Sequence, residues 1–253
     1  MSGRVVLITG ATGEIGSATA VEFARDGAAG IALHYNRNRN QAAKLGLRIK
    51  ALGSSSVSIR ADLSNPVDAK NLVAETVSRL GRLDVLVCLA GHPFSRSDWF
   101  ERFERLTPEQ LKKPIEVDLL GTAYVVQAAI PIMRRQRGGK IVLIGSTPAL
   151  TGDSVGTTYL IAKAGLLALT RSLAQYLGKD NIHVNALALG AIDTKSTLGH
   201  LKSKEKSRLA REASLRRFGS PAEVARKIVF LSSEDSDFLT GQTIVVDGGY
   251  AMR

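Results

Sequence analysis

Within its first sixteen residues the chain runs from Val5-Val-Leu-Ile-Thr9 into Gly10-Ala-Thr-Gly13-Glu-Ile-Gly16, then into a helical pattern reaching about Asp26. An unbroken apolar run suits a strand covered on both faces. Glycines directly after it let the chain turn tightly and let a pyrophosphate approach the backbone, where the free N–H groups of a helix N-terminus bind it. A glycine spacing alone says little. Placed between a strand and a helix it fixes the opening unit of the fold.

The same alternation continues. Gly30–Tyr35, Ser56–Arg60, Leu83–Gly91, Lys140–Gly145 with Ser146 at its end, Ile182–Leu189 and a last strand from Thr243 to Asp247 read as further strands. Between them lie helices with legible starts: Asn65 before Pro66, Thr107-Pro-Glu-Gln110, and Ser220-Pro-Ala-Glu223. The second of these opens a long helical region to Arg135, which Pro114 is expected to offset or kink. The helix from about Thr157 to Leu177 is apolar almost all round, so it needs two packing surfaces, the sheet and a partner subunit. The expected fold is α/β: a single-domain, Rossmann-like, doubly wound parallel sheet of about seven strands over residues 1–253. The polar, basic segment 195–219, with only intermittent leucines, reads as a flap over the site.

Composition narrows the partners. No 18-residue run is both apolar and uncharged, which argues against a membrane span. The start of the chain has no signal-peptide layout, and Cys88, the only cysteine, excludes an internal disulfide and fits a reducing cytoplasm. A net charge of +11 could attract nucleic acid, yet aromatics are only 5% and no basic stripe is interleaved with them, so a nucleic-acid partner is not expected. The lysines and arginines between His200 and Arg217 read as a solvated helical face. They would add modest steering of an anionic ligand, such as a phosphorylated cofactor or a carrier-bound acyl group.

Chemistry enters at three places. After the second strand comes Asn36-Arg37-Asn38-Arg39, where a dinucleotide fold usually carries a carboxylate for the ribose 2′-hydroxyl. Arginine suits a 2′-phosphate instead, which points to NADP over NAD; a solvated turn is the plainer alternative. Asp62 at the third strand's end could bond an adenine amino group or cap its own loop, the former being preferred. Tyr159 and Lys163 share a helix face one turn apart, and an ammonium close to a phenol favours the phenolate. That pair can exchange a proton near neutral pH, with Ser146 placed to hydrogen-bond an oxygen whose charge changes. Alone, Tyr-x-x-x-Lys is a common surface pair; its company gives it meaning.

These motifs together resemble the short-chain dehydrogenase/reductase family over the whole chain, and are most similar to its 3-oxoacyl-carrier-protein reductases, particularly from Leu215 to Gly249. The resemblance implies that Tyr159 is the acid/base, that Lys163 supports it and binds ribose, and that Ser146 orients the carbonyl oxygen. It implies cofactor contacts at Gly10, Thr12, Gly13, Ile15, Gly16, Asn36, Arg37, Asn38, Asp62, Leu63, Ala90, Gly91, Gly190, Ile192 and Thr194, and no metal. Three positions depart from the pattern. Glu14 replaces the middle glycine, Cys88-Leu89 replaces an asparagine pair, and Asp118 replaces an asparagine that orders relay water; Asp118 is kept in the catalytic set.

The expected activity is NADP(H)-dependent interconversion of a carbonyl and a secondary alcohol, first for a 3-oxoacyl thioester on a carrier protein or CoA. Sugar, polyol or other small-alcohol oxidation is the alternative, as is a non-catalytic NADP-binding regulator. Arg134, Arg135 and Arg137 would meet an acidic carrier, or serve only as helix C-terminal cations. A homodimer or homotetramer is expected, and substrate is expected to meet segments 92–106, 148–156 and 195–217.

Overall fold

The computed structural model describes residues 1–199 and 201–252. Seven strands, β1 (Val5–Thr9), β2 (Gly30–Tyr35), β3 (Ser55–Arg60), β4 (Val85–Cys88), β5 (Gly139–Ser146), β6 (Ile182–Leu189) and β7 (Thr243–Val246), form one sheet in the order β3-β2-β1-β4-β5-β6-β7. Every pairing is parallel. The helices between them are α1 (Glu14–Arg25), α2 (Arg39–Ala51), α3 (Pro66–Leu80), α4 (Arg96–Phe100), α5 (Pro108–Pro114), α6 (Gly121–Arg135), α7 (Pro148–Thr151), α8 (Thr157–Leu177), α9 (Lys195–Leu198), α10 (Ser203–Glu212) and α11 (Pro221–Ser232).

Successive side chains of a strand point to opposite faces, and the central strands feed two cores. Leu7, Leu86, Ile141, Leu143, Val184 and Ala186 pack with α3, α6 and α8. Their sequence neighbours Val6, Ile8, Val85, Val87, Val142 and Leu187 pack with α1, α2 and α11 on the other side. A sheet covered on both faces has no polar alternation to show, which is why its central strands read as apolar runs, unlike the edge strand β3.

The caps fall where the sequence puts them. Asn65 accepts from Val67 N, and Thr107 and Ser220 each complete a capping box with Gln110 and Glu223. The region beyond Thr107 is offset just after Pro114. Between α5 and α6 the chain forms a π turn, Ile115–Leu120. Pro114, without an N–H, cannot make the i→i−4 bond, and the wider turn takes up the mismatch. It also turns Asp118 inward, to 2% exposure. By length and composition alone the run Pro108–Arg135 could cross a membrane, but here it lies against α3 and α8. Helix α8 buries Ala162, Lys163, Leu166, Leu167 and Ala174, while Ile161 and Tyr176 stay exposed on its outer side. The fourth strand is shorter than its apolar run, ending at Cys88, and the basic segment contains two helices, α9 and α10.

Candidate active site

Strand order reverses between β1 and β4, with Thr9 opposite Cys88 at their carboxyl ends. Open α/β sheets leave a ligand crevice at such a point. Gly10 turns into it with φ +66°, and a Cβ there would lie 2.8 Å from Ala90 N; one on Gly16 would lie 2.3 Å from the Gly10 carbonyl oxygen. Both sites therefore demand glycine. Gly13 does not: its φ is −69° and the nearest atom to an added Cβ is 3.4 Å away. Its bareness leaves space on the cavity wall at the start of α1, the kind of room a pyrophosphate needs.

The turn is held by a residue without a motif. Gly10 N donates to His34 Nδ1 at 3.0 Å, and His34 Nε2 lies 3.1 Å from the Ala61 carbonyl oxygen. Burial pushes the imidazole down to about 4. A neutral ring with its proton on Nε2 satisfies both contacts. Nothing in the sequence around His34 marks this role. Nearby, Thr9 Oγ1 accepts from both Leu89 N and Ala90 N at 3.1 Å, so the segment after β4 is tied down without the amides that Cys88 and Leu89 lack.

Beyond β2, Asn36, Arg37 and Asn38 are exposed. Asn38 caps α2 by accepting from Gln41 N. Arg60 joins this end of the cleft, because the register sets Tyr35 beside Arg60, and its Nε donates to the Asn36 carbonyl at 3.2 Å. Asp62 Oδ1 accepts from Ser64 N and Ser64 Oγ, so its capping role is in place. Those bonds, then Arg37 and Arg60, hold its carboxyl below the usual range. Leu63 is buried against Gly121. None of these six residues lines the main cavity.

That cavity has a volume of about 1040 Å³, and its lining includes Gly10, Gly13, Ile15 and Gly16 together with Ser146 and Tyr159. Lys163 Nζ lies 5.5 Å from the Tyr159 ring centroid and 3.1 Å from Asp118 Oδ2. Asp118 Oδ1 accepts from His92 N, joining the π turn to the loop after β4. Gly91 leaves room for that carboxylate, since a Cβ there would approach it to 3.1 Å. Burial works against the Lys163 ammonium, but Asp118, Tyr159 and Cys88 together hold it above its ordinary range, so it is charged. Ser146, 6% exposed, has its hydroxyl 3.5 Å from the Leu189 carbonyl. A phenol beside a fixed cation, with a hydroxyl on the same cavity wall, is equipped to move a proton to and from an oxygen.

The third wall comes from the segment after β6. Gly190 packs against Asp247, where a Cβ would come within 2.6 Å of its side chain. Ile192 pairs with Gly219, and Thr194, 6% exposed, caps α9 by accepting from Thr197 N. Gly190, Ile192 and Thr194 all line the cavity. The basic run is not wholly a solvated face: Leu201, Arg208, Leu209 and Arg217 also line it. Glu14 does not simply point into solvent. Its carboxylate accepts from Lys195 N at 2.5 Å, joining the start of α1 to the start of α9 across the cleft. Sequence reasoning also missed the aromatic wall. Trp99 lies 5.4 Å from both Phe94 and Tyr159, ring centre to ring centre.

Residues 10–251 match the family model described as Enoyl-(Acyl carrier protein) reductase. The chain is 34% identical over 250 residues to a 7alpha-hydroxysteroid dehydrogenase of Bacteroides fragilis, covering 99% of this chain and 95% of that protein. It is 36% identical over 252 residues to the 3-oxoacyl-[acyl-carrier-protein] reductase FabG of Thermotoga maritima, covering 98% of each. Among solved structures, a blue fluorescent protein from a metagenomic library in complex with NADPH superposes with a TM-score of 0.91 at 30% identity, covering 99% of both chains. The sheet order, the glycine turn and these likenesses agree: the chain belongs to the short-chain dehydrogenase/reductase family, oxidoreductases that act on CH–OH groups.

Proposed function

We propose that the protein interconverts a ketone and a secondary alcohol with NADP(H). The observation that carries this is the Tyr159–Lys163–Asp118 cluster, which opens beside Ser146 onto the cavity that begins at the glycine turn. The chemistry a nicotinamide held at the glycine turn would supply is hydride donation in reduction and hydride acceptance in oxidation. Tyr159 gives its phenolic proton to the carbonyl oxygen in reduction and takes it back in oxidation. The Lys163 ammonium stabilises the charge left on the phenolic oxygen, and Ser146 donates a hydrogen bond to the substrate oxygen. Asp118 keeps Lys163 in place. The open wall at Gly13 fits a pyrophosphate, and Arg37 with Arg60 supports a 2′-phosphate and hence NADP over NAD.

A 3-oxoacyl thioester stays among the candidate substrates, and a relative is named for that activity. Arg134 is less suited to meeting an acidic carrier, because it is engaged by Asp180 at 2.7 Å and lies over the Tyr176 ring. Arg135 and Arg137 are exposed. The outer side of α8, with Ile161 and Tyr176, would meet a second copy in a dimer or tetramer. A reducing cytoplasm suits the single buried thiol, which burial pushes up to about 12.

A non-catalytic NADP-binding protein is the second reading, favoured by the Glu14 carboxylate in the glycine turn. One experiment separates the two. With NADPH and a panel of ketones followed at 340 nm, the protein turns over and Tyr159→Phe loses nearly all turnover while cofactor binding is kept. Full activity in that variant removes Tyr159 from the chemistry. Silence of the parent protein across the panel, with cofactor bound, favours the second reading.

A further inference from the structure

Of its 7 Phe, 5 Tyr and 1 Trp, the chain places six around one cavity: Phe94, Trp99, Phe100, Tyr159, Phe218 and Tyr250. In a protein that is only 5% aromatic this is a strong concentration. Three of the rings make a continuous surface. Trp99 is tilted 47° to Phe94 and 51° to Tyr159, with both ring centres 5.4 Å away.

The indole is fixed in that place by the backbone around it. Trp99 N donates to the Ser95 carbonyl at 2.9 Å, and the Trp99 carbonyl accepts from Gly156 N at 2.8 Å. Gly156 has φ +67°, a left-handed conformation, and a Cβ on it would sit 2.9 Å from the six-membered ring of the indole. Both its conformation and the space it leaves require glycine, and the space is filled by Trp99. The loop after β4 and the start of α8 are thus shaped around one aromatic face beside the proton-transfer residue.

Several charged groups of the same region are engaged by neighbours, while Asp153, Arg208 and Glu212 also line the cavity. Arg96 meets Glu205 at 3.6 Å, linking α4 to α10, and Asp98 accepts from Gln110 Nε2 at 2.8 Å. Arg217 is paired with Glu223 at 2.6 Å. Next to Tyr159 the cavity presents an apolar wall of three rings, Phe94 and Tyr159 inclined 47° and 51° to the indole of Trp99, which is itself a flat fused ring. A rigid ring laid on it buries much area and has few rotors to freeze, whereas a flexible chain or a hydroxyl-covered sugar gains less.

We propose that Trp99 is the specificity-determining residue of this site and that the substrate is a ketone or secondary alcohol carried on an apolar ring system of at least two fused rings. The proposal rests on the carbonyl/alcohol reading above and refines it. Trp99 is also the protein's single tryptophan, so its fluorescence reports on this wall alone.

The test is a titration of tryptophan emission in protein saturated with NADP⁺, which forms a non-reacting complex with a ketone. The ligands are a saturated bicyclic ketone (decalone), an acetoacetyl thioester and a hexonolactone, a sugar already oxidised at C1 that has no hydride to give NADP⁺ from that carbon. The expected result is a saturable emission change with decalone at a concentration roughly tenfold or more below that needed for the other two. Equal or tighter binding of the thioester or the sugar, or no saturable change with decalone, overturns the proposal. This readout needs no turnover, so it fails separately from the carbonyl/alcohol reading. In kinetics with NADPH, Trp99→Leu raises KM for decalone roughly tenfold or more and KM for a small ketone much less, so that the preference for decalone in kcat/KM falls by about that factor. A uniform loss of kcat on both ketones would mean that Trp99 only supports the fold around Tyr159.

Discussion

Two guanidinium groups, those of Arg37 and Arg60, stand beyond the end of β2, and Asp62 feels both. A charge-assisted bond from arginine to phosphate is worth about 1.5–3 kcal/mol, or roughly ten- to a hundredfold in affinity. Arg37→Ala is therefore expected to weaken NADPH binding by that factor and to leave NADH binding within about twofold, as measured by calorimetric titration. Arg60→Ala should act in the same direction and less strongly, since part of its guanidinium is spent on the Asn36 carbonyl. Equal losses for the two cofactors would mean that neither arginine reads the phosphate. Only Arg37 is visible in the sequence, from its position after a strand. Arg60 becomes its neighbour through the register that sets Tyr35 beside Arg60, and register is a long-range property. His34 is hidden for a similar reason. A buried histidine in an apolar run looks like core until its two ring nitrogens are seen between Gly10 and Ala61.

At the scale of elements, helix starts are legible because a cap is a local bond. Asn65, Thr107 and Ser220 do what their side chains do at any helix N-terminus. The π turn is not legible: Pro114 announces an interrupted ladder, but how the chain recloses is decided by α8 and the loop after β4, which Asp118 joins. Glu14 shows the same limit. In the sequence it is a charge in the wrong place; in the fold it bridges α1 to α9. A carboxylate at a helix N-terminus favours the helix, yet it opposes a pyrophosphate seated in the same field. Glu14→Gly is expected to tighten NADPH binding by roughly three- to tenfold. It should also speed tryptic cleavage within the lysine- and arginine-rich segment from α9 to α10. Unchanged affinity with unchanged cleavage would show that the bridge neither guards the cleft nor restrains the flap.

For the whole molecule, the glycine turn and the stability of the sheet are joined through one imidazole. His34 links the start of the turn to the segment after β3, and its ring is neutral because burial pushes it from 6.5 down to about 4. Between those values the unfolded chain takes up a proton that the folded protein refuses. Stability is thus complete above about pH 6.5 and falls as pH drops toward 4. The loss from this residue between pH 7 and 5 comes to about 2 kcal/mol. His183 is also held below its ordinary range, by burial and then by Lys140, and adds to the same slope. The carboxylates contribute lower down: Glu223, held at about 2 mainly by Arg217, loses its share only as pH falls below its ordinary 4.5. Urea unfolding at pH 7, 6 and 5 should therefore show a stability that declines with acid, and His34→Gln should remove most of that decline while lowering stability at pH 7. Protonation of the folded ring would place an N–H on Nδ1 against the Gly10 N–H, so cofactor affinity should hold from pH 7 to 5 and fall only as pH approaches about 4, where the folded ring takes up its proton. A parent protein equally stable at pH 7 and 5 would mean that the His34 ring carries its proton in the folded state, and that the turn is held by its glycine packing alone.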